Sequence, residues 1–164
     1  DPASRLKPIG RIRRAIRSVS WPGRFEIVPS RRLILDGAHN PAAAAVLAES
    51  LAEFLGPSPL LLVLGVLADK DAAGIARALL PLAREAVAVS PPSPRAFEAS
   101  RLAAVCRRAA AAPRPPLRTV KDLEEALRYC YHALPRLPGG WICVTGSFYL
   151  VGEAKRLLRK MCKV

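Results

Sequence analysis

The sequence predicts an α/β fold: a mostly parallel sheet of about six strands, with helices on both faces and one antiparallel edge strand. Three observations lead there. Short apolar runs alternate with stretches whose Ala and Leu recur at helical spacing, and parallel strands need such helical crossovers. Runs such as "PLLLVLGV" are apolar at every position, as suits strands covered on both faces. The first two strand-like runs, "GRFEIVP" and "RRLILD", are linked too tightly for a crossover, so they pair antiparallel at an edge.

Ile9 to Val19 comes first, with Ile9, Ile12 and Ile16 at three- and four-residue steps, the pattern of a short basic amphipathic helix. Residues 1–20 are read as this helix and a linker, and residues 21–164 as one domain. After the edge pair, "PAAAAVLAESLAEFLG" is a helix closed by Gly56, "PLLLVLGV" a buried strand, and "DAAGIARALLPLA" a helix interrupted by Pro81. "EAVAVS", Glu85 to Ser90, is the next strand, and "PPSPR" bars regular structure. "AFEASRLAAVCRRAAAA" is a helix broken by "PRPP", and "LRTV" a short strand. "KDLEEALRYCYHAL" is a helix capped by Asp122, with Leu123, Ala126, Leu127 and Cys130 on one side. "GWICVTG" is the last strand and "FYLVGEAKRLLRKMC" the last helix.

At 51% hydrophobic and 24% charged residues over 164 positions, the chain has the composition of a folded domain. No apolar run approaches the roughly 20 residues of a membrane span. The N-terminus lacks the apolar core of a secretory signal. Cys106, Cys130, Cys143 and Cys162 are widely spaced, without a C-x-x-C pair or a zinc-finger histidine, so reduced thiols, a cytoplasmic location and no metal site are expected. The net charge of +13 suits a protein that meets phosphates. Its basic residues, however, gather at the two ends, in "RIRRAIR" and "KRLLRKMCK", without interleaved aromatics, which argues against a nucleic-acid surface.

Ligand sites of open α/β sheets lie beyond the carboxyl ends of the strands, and three strand exits here carry polar residues. In "LDGAHNP", Asn40 and Pro41 are explained by helix initiation alone. Asp36 and His39 are not, and the residues leave both a structural and a ligand-holding role open to them. In "GVLADKD", Asp69 or Asp71 can cap the next helix, while Lys70 can present an ammonium to a phosphate or carboxylate or stand exposed in a turn. In "VTGSFY", Ser147 is an N-cap or a carboxylate cradle. Neither a G-x-x-x-x-G-K-[ST] phosphate loop nor G-x-G-x-x-G occurs. A Ser147, His39, Asp36 hydrolase triad lacks the G-x-S-x-G elbow. His132 reads as a surface or structural residue, and Trp21 and Trp141 as packing residues.

"WPGRFEIV", "LDGAHNP", "GVLADKD", "SPPSPRA" and "VTGSFYLVGE" follow one another in the order and spacing of folylpolyglutamate and dihydrofolate synthases. The chain resembles the C-terminal domain of these enzymes, which belong to the Mur ligase superfamily. The resemblance implies a Rossmann-like three-layer sandwich over residues 21–164 that closes on an N-terminal ATPase domain. It also implies an ATP- and Mg²⁺-dependent ligase that converts a folate or dihydropteroate carboxylate to an acyl phosphate, which the amine of L-glutamate attacks. Carried onto this sequence, Arg24 reaches the ATP phosphates, Asp36 holds the ribose, and His39 lies at the nucleotide or the incoming amino acid. Ser147 and Tyr149 line the glutamate side, and Lys70 with Asp71 shapes the neighbouring loop. Arg24, His39 and Lys70 are thus the catalytic candidates.

The phosphate loop, the Mg²⁺ ligands and most of the folate pocket of such enzymes belong to the ATPase domain, which this sequence lacks. The chain is therefore expected to be inactive alone, and its start at Asp1 rather than Met suggests part of a longer protein or a domain that works with a separate partner. Two other readings stand beside this one: a Mur-type ligase for another amino acid, and a non-catalytic basic domain that binds polyanions.

Overall fold

The computed structural model describes residues 21–161. The basic helix expected at Ile9 to Val19, and Cys162, lie outside them. Strands β1 (Glu26–Val28) and β2 (Leu33–Leu35) are joined by a 3₁₀ turn over Pro29–Arg31, too short for a crossover, and pair antiparallel with Ile27 opposite Ile34. β3 (Leu60–Leu64), β4 (Ala83–Ala88), β5 (Leu117–Thr119) and β6 (Trp141–Thr145) complete a sheet of order β1-β2-β6-β3-β4-β5. Every pairing after the first is parallel. The α/β sandwich with one antiparallel edge strand is the predicted architecture.

Side chains alternate across the sheet, so neighbouring residues of one strand enter different cores. Ile34, Leu62, Leu64 and Cys143 pack with helices α1 (Pro41–Leu55), α2 (Ala72–Leu79) and α3 (Ala99–Ala109). Leu33, Leu35, Leu61, Val63 and Val144 pack with α4 (Leu123–Ala133) and α5 (Phe148–Met161) on the opposite face. The helix starts follow from their caps. Asn40 accepts a hydrogen bond from Ala43 N–H at 2.8 Å ahead of Pro41, Asp71 from Gly74 N–H at 2.8 Å, and Asp122 from Glu125 N–H at 2.9 Å.

Several boundaries differ from those expected, and those of two elements have a clear physical reason. The third helix begins at Ala99 rather than Ala96, because Ala96 bridges to Leu67 and the Glu98 carboxylate takes the Ser100 and Arg101 N–H groups as a cap. β4 starts at Ala83, straight after a 3₁₀ turn over Leu80–Leu82 that Pro81 imposes, and ends at Ala88. Cys106, Cys130 and Cys143 are buried free thiols. Burial pushes the first two up to about 11 and about 12, and Cys143 higher still, so all three stay protonated and unreactive.

The sheet order determines where a ligand can enter. β6 lies between β2 and β3, and the chain leaves β2 toward α1 on one face but leaves β6 toward α5 on the other. Adjacent strands whose exits diverge leave a crevice beyond their carboxyl ends. Residues 36–39 and 146–149 form its two lips.

Candidate functional site

Asp36 directly follows β2, and its N–H still donates to Val144 O at 3.1 Å, as a continuing strand would. Its carboxylate is 8% exposed and takes two backbone N–H groups, Ala38 on Oδ1 and Phe25 on Oδ2, each at 2.7 Å. The second bond holds Phe25 in a left-handed conformation, with φ of 43°, and so ties the "WPGR" loop to the turn. Gly37 N–H donates to Gly23 O at 2.8 Å and adds a second tie. Each oxygen can accept a further hydrogen bond, so the structural role of Asp36 leaves room for a ligand hydroxyl.

His39 is half-buried, with Nδ1 2.8 Å from Gly37 O. A carbonyl can only accept, so Nδ1 carries a proton here, and in the neutral tautomer that this bond selects Nε2 is the acceptor. Arg24 is exposed, and its guanidinium carbon lies 4.9 Å from the centre of the Phe148 ring. The His39 ring lies 5.8 Å from the same ring. Arg24 and Asp36 line one open cavity of about 400 Å³, together with Phe25, Ala43, Val46, Leu47 and Ser50.

The second lip is built on Gly146, which ends β6 with φ of 105°. A Cβ there would fall 2.5 Å from Gly65 O, so the tails of β6 and β3 approach too closely for any side chain. Ser147 is 2% exposed, and its Oγ accepts from Leu150 N–H at 3.2 Å as the cap of α5. Tyr149, 47% exposed, begins the same helix. On the third exit Asp71 is the cap of α2, while Lys70 pairs at 3.0 Å with Asp69, which also sits 3.8 Å from Arg95. Arg24, Asp36 and His39 therefore form one cluster with Phe148, Ser147 and Tyr149 sit on the facing lip, and Lys70 occupies a separate loop on the same sheet edge. His132 is exposed. Trp141 packs edge-on against Phe54 with ring centres 5.0 Å apart, whereas Trp21 is 70% exposed, so the packing expected of it is not seen among the described residues.

Sequence reasoning missed two contributors. Phe148 is one, and only its position after "GS" could have drawn notice. Glu26 is the other: its carboxylate takes Gly23 N–H at 2.7 Å and the Lys155 ammonium at 2.9 Å, and so braces the Arg24 loop against α5. Partial burial raises the Glu26 carboxyl, but the Lys155 and Gly23 hydrogen bonds and the Lys155 charge together outweigh it and hold the group below its ordinary value of 4.5. A depressed carboxylate contributes stability above its unfolded value and loses it as pH falls through the folded one. The stability lead of the wild type over Glu26→Gln should thus be full at neutral pH and shrink below pH 4.5, as read by urea unfolding at both pH values. A lead that grows on acidification would refute the brace.

Among the described residues no group of three or more His, Cys, Asp or Glu side chains could hold a metal ion, and no helix is long and apolar enough to cross a membrane. The cluster instead offers a guanidinium, an imidazole and a buried carboxylate at a crevice, a set suited to a phosphate and a hydroxylated ring together.

The family described as Mur ligase, glutamate ligase domain matches residues 23–148. A probable bifunctional folylpolyglutamate synthase/dihydropteroate synthase of Halobacterium salinarum is 37% identical over 146 residues, which are 88% of this chain and 17% of that protein. Folylpolyglutamate synthase of Mycobacterium tuberculosis, solved with ADP and AMPPCP, superposes with a TM-score of 0.78 at 34% identity, covering 85% of this chain and 33% of that one. The bifunctional folylpolyglutamate synthase/dihydrofolate synthase of Yersinia pestis, solved with AMPPNP and a Mn ion, superposes with a TM-score of 0.74 at 31% identity, over 87% of this chain and 32% of that one. The chain thus spans a third or less of the length of these relatives.

Proposed function

Since the chain belongs to the Mur ligase, glutamate ligase domain family, we propose that it is the C-terminal domain of an ATP-dependent folylpolyglutamate synthase/dihydrofolate synthase of the cytoplasm. The observation that carries this reading is the shared cavity of Arg24 and Asp36, which brings a phosphate-binding fork and a hydroxyl acceptor together at the crevice of the sheet. The enzyme joins L-glutamate to the carboxylate of a folate or dihydropteroate. ATP supplies the phosphoryl group that activates this carboxylate.

This chain closes on the ATPase domain, and its residues act from the far side of the gap. Arg24 reaches the phosphates as a planar cation that stabilises charge during transfer without losing its proton. Asp36 takes a ribose hydroxyl on a lone pair left free by its two backbone bonds. His39, with Nε2 as acceptor, stands at the nucleotide or the incoming amine. The α5 N-terminus, with Ser147 and Tyr149, borders the glutamate side, where a helix start favours a carboxylate. Lys70 shapes the neighbouring loop. Closure excludes water, which protects the acyl phosphate from hydrolysis. Among the described residues no donor set fits a resident cation, and Mg²⁺ is assigned to the ATPase domain.

The test is ADP release by the complete ligase. Release that requires L-glutamate together with a folate or dihydropteroate is expected, with none from the 164-residue chain alone. Absence of glutamate-dependent release with both acceptors would end this reading, and the acceptor that works assigns the substrate.

A further inference from the structure

Phe148, on the second lip of the crevice, reaches across to the first lip and to the Arg24 loop. Its ring lies under the Arg24 guanidinium at 4.9 Å and beside the His39 ring at 5.8 Å. The backbone makes room for it: a Cβ on Gly37 would fall 2.3 Å from Phe148 Cε1, and one on Gly23 would lie 3.5 Å from the same atom. Phe148 is nevertheless 44% exposed, at the first turn of a helix whose buried face is supplied by Leu150, Val151 and Ala154. A core residue buries its ring. This one holds a partly solvated ring against two loop segments, Gly23–Arg24 and Gly37–His39, that share no secondary structure with its helix.

We propose that Phe148 is a positioning residue that holds the Arg24 guanidinium and the His39 imidazole in the orientation the ligation step uses. The inference rests on the functional reading above. Arginine carries large rotamer freedom, and an exposed guanidinium samples many orientations unless something restrains it. The ring face restrains it without neutralising its charge, as a carboxylate would, so the cation remains available to a phosphate. The ring edge likewise limits rotation of His39 about the axis that its Nδ1 bond to Gly37 O leaves free.

The experiment is a double-mutant cycle in the complete ligase, with Phe148→Leu, Phe148→Tyr, Arg24→Ala and the Arg24→Ala/Phe148→Leu pair. Leucine keeps an apolar side chain at the site but has no ring face, and tyrosine keeps the face. Phe148→Leu is expected to lower kcat by about three- to tenfold, from the strength of a cation–π contact. Phe148→Tyr should restore the rate to within about twofold of wild type. On the Arg24→Ala background, Phe148→Leu should cost about twofold or less, because its route through Arg24 is gone and only the more distant His39 contact remains.

In the 164-residue chain, NMR should show the Arg24 side-chain and His39 ring protons displaced by the aromatic ring current, and the displacement lost in Phe148→Leu but kept in Phe148→Tyr. Additive effects in the cycle, equal loss by the Leu and Tyr variants, or unshifted Arg24 protons would each overturn the positioning role. Absence of glutamate-dependent ADP release in the wild-type complete ligase would instead overturn the functional reading, so the two failures are told apart. If Phe148→Leu does not fold, the Tyr variant and the wild-type ring-current shifts still decide the matter.

Discussion

Gly146→Ala is expected to be the most destabilising single methyl this domain can receive. The φ of 105° belongs to a region that side-chain-bearing residues rarely adopt, and the added Cβ would sit 2.5 Å from the backbone oxygen of Gly65. Backbone strain alone is worth about 1–3 kcal/mol. The clash has no cheap relief, because its partner is main chain at the end of a neighbouring central strand, where Gly65 N–H also donates to Thr145 O at 3.1 Å. Relief requires β3 and β6 to part at the crevice. A total loss of about 3–5 kcal/mol is expected, a large fraction of the usual stability of a domain. Urea unfolding of the 164-residue chain measures it, and a loss below about 1 kcal/mol would mean that the tails of β3 and β6 do not approach as described.

Arg24→Ala should have the largest effect on chemistry and almost none on folding. The side chain is exposed and its side-chain contact is the Phe148 ring, so its loss removes little from the folded state. In the complete ligase, removal of one preorganised charge aimed at a transferring phosphoryl group should depress kcat by about 10²–10³. Arg24→Lys should fall between, since an ammonium keeps the charge but not the planar fork. Asp36 makes a useful contrast. Its carboxylate holds the Phe25 and Ala38 N–H groups, so Asp36→Ala lowers stability as well as turnover, and the two readouts separate a residue that reaches outward from one that also holds the loop. Unchanged kcat in Arg24→Ala would remove the guanidinium from the mechanism.

Much of the fold could be read from the chain, for reasons visible in individual segments. Leu60 to Leu64 has no polar position, which only a strand covered on both faces tolerates, and the turn at Pro29 leaves no room for a crossover. Asn40 and Asp122 announced two helix starts through their chemistry, and each is a cap; of Asp69 and Asp71, both open to that role, Asp71 is the cap. Because helix starts after parallel strands gather on one sheet edge, the same signals pointed to the edge on which the crevice lies, though not to the crevice itself.

What escaped sequence reasoning depends on contacts between distant segments. The bridge of Ala96 to Leu67 delays α3, and nothing local to "AFEAS" reports it. The placement of β6 between β2 and β3 follows from packing and not from any one strand's pattern. The double duty of Asp36, the brace at Glu26 and the contacts of Phe148 all join the "WPGR" loop to elements far along the chain. Ser147 was open to two roles, and its burial and its bond from Leu150 N–H show that it caps α5, a fact only the folded neighbours reveal.

The position of β6 also sets an order of events during synthesis. Of the six strands of this sheet it is the last to leave the ribosome, yet it occupies the middle, with Ile142 registered against Leu33 on one side and Leu61 on the other. Until it emerges, β2 and β3 present unpaired edges to each other and to other nascent chains, a state prone to mispairing. A ribosome stalled before Trp141 therefore carries two unjoined fragments of sheet, and β6 acts as a wedge that closes the domain and the crevice in a single late step.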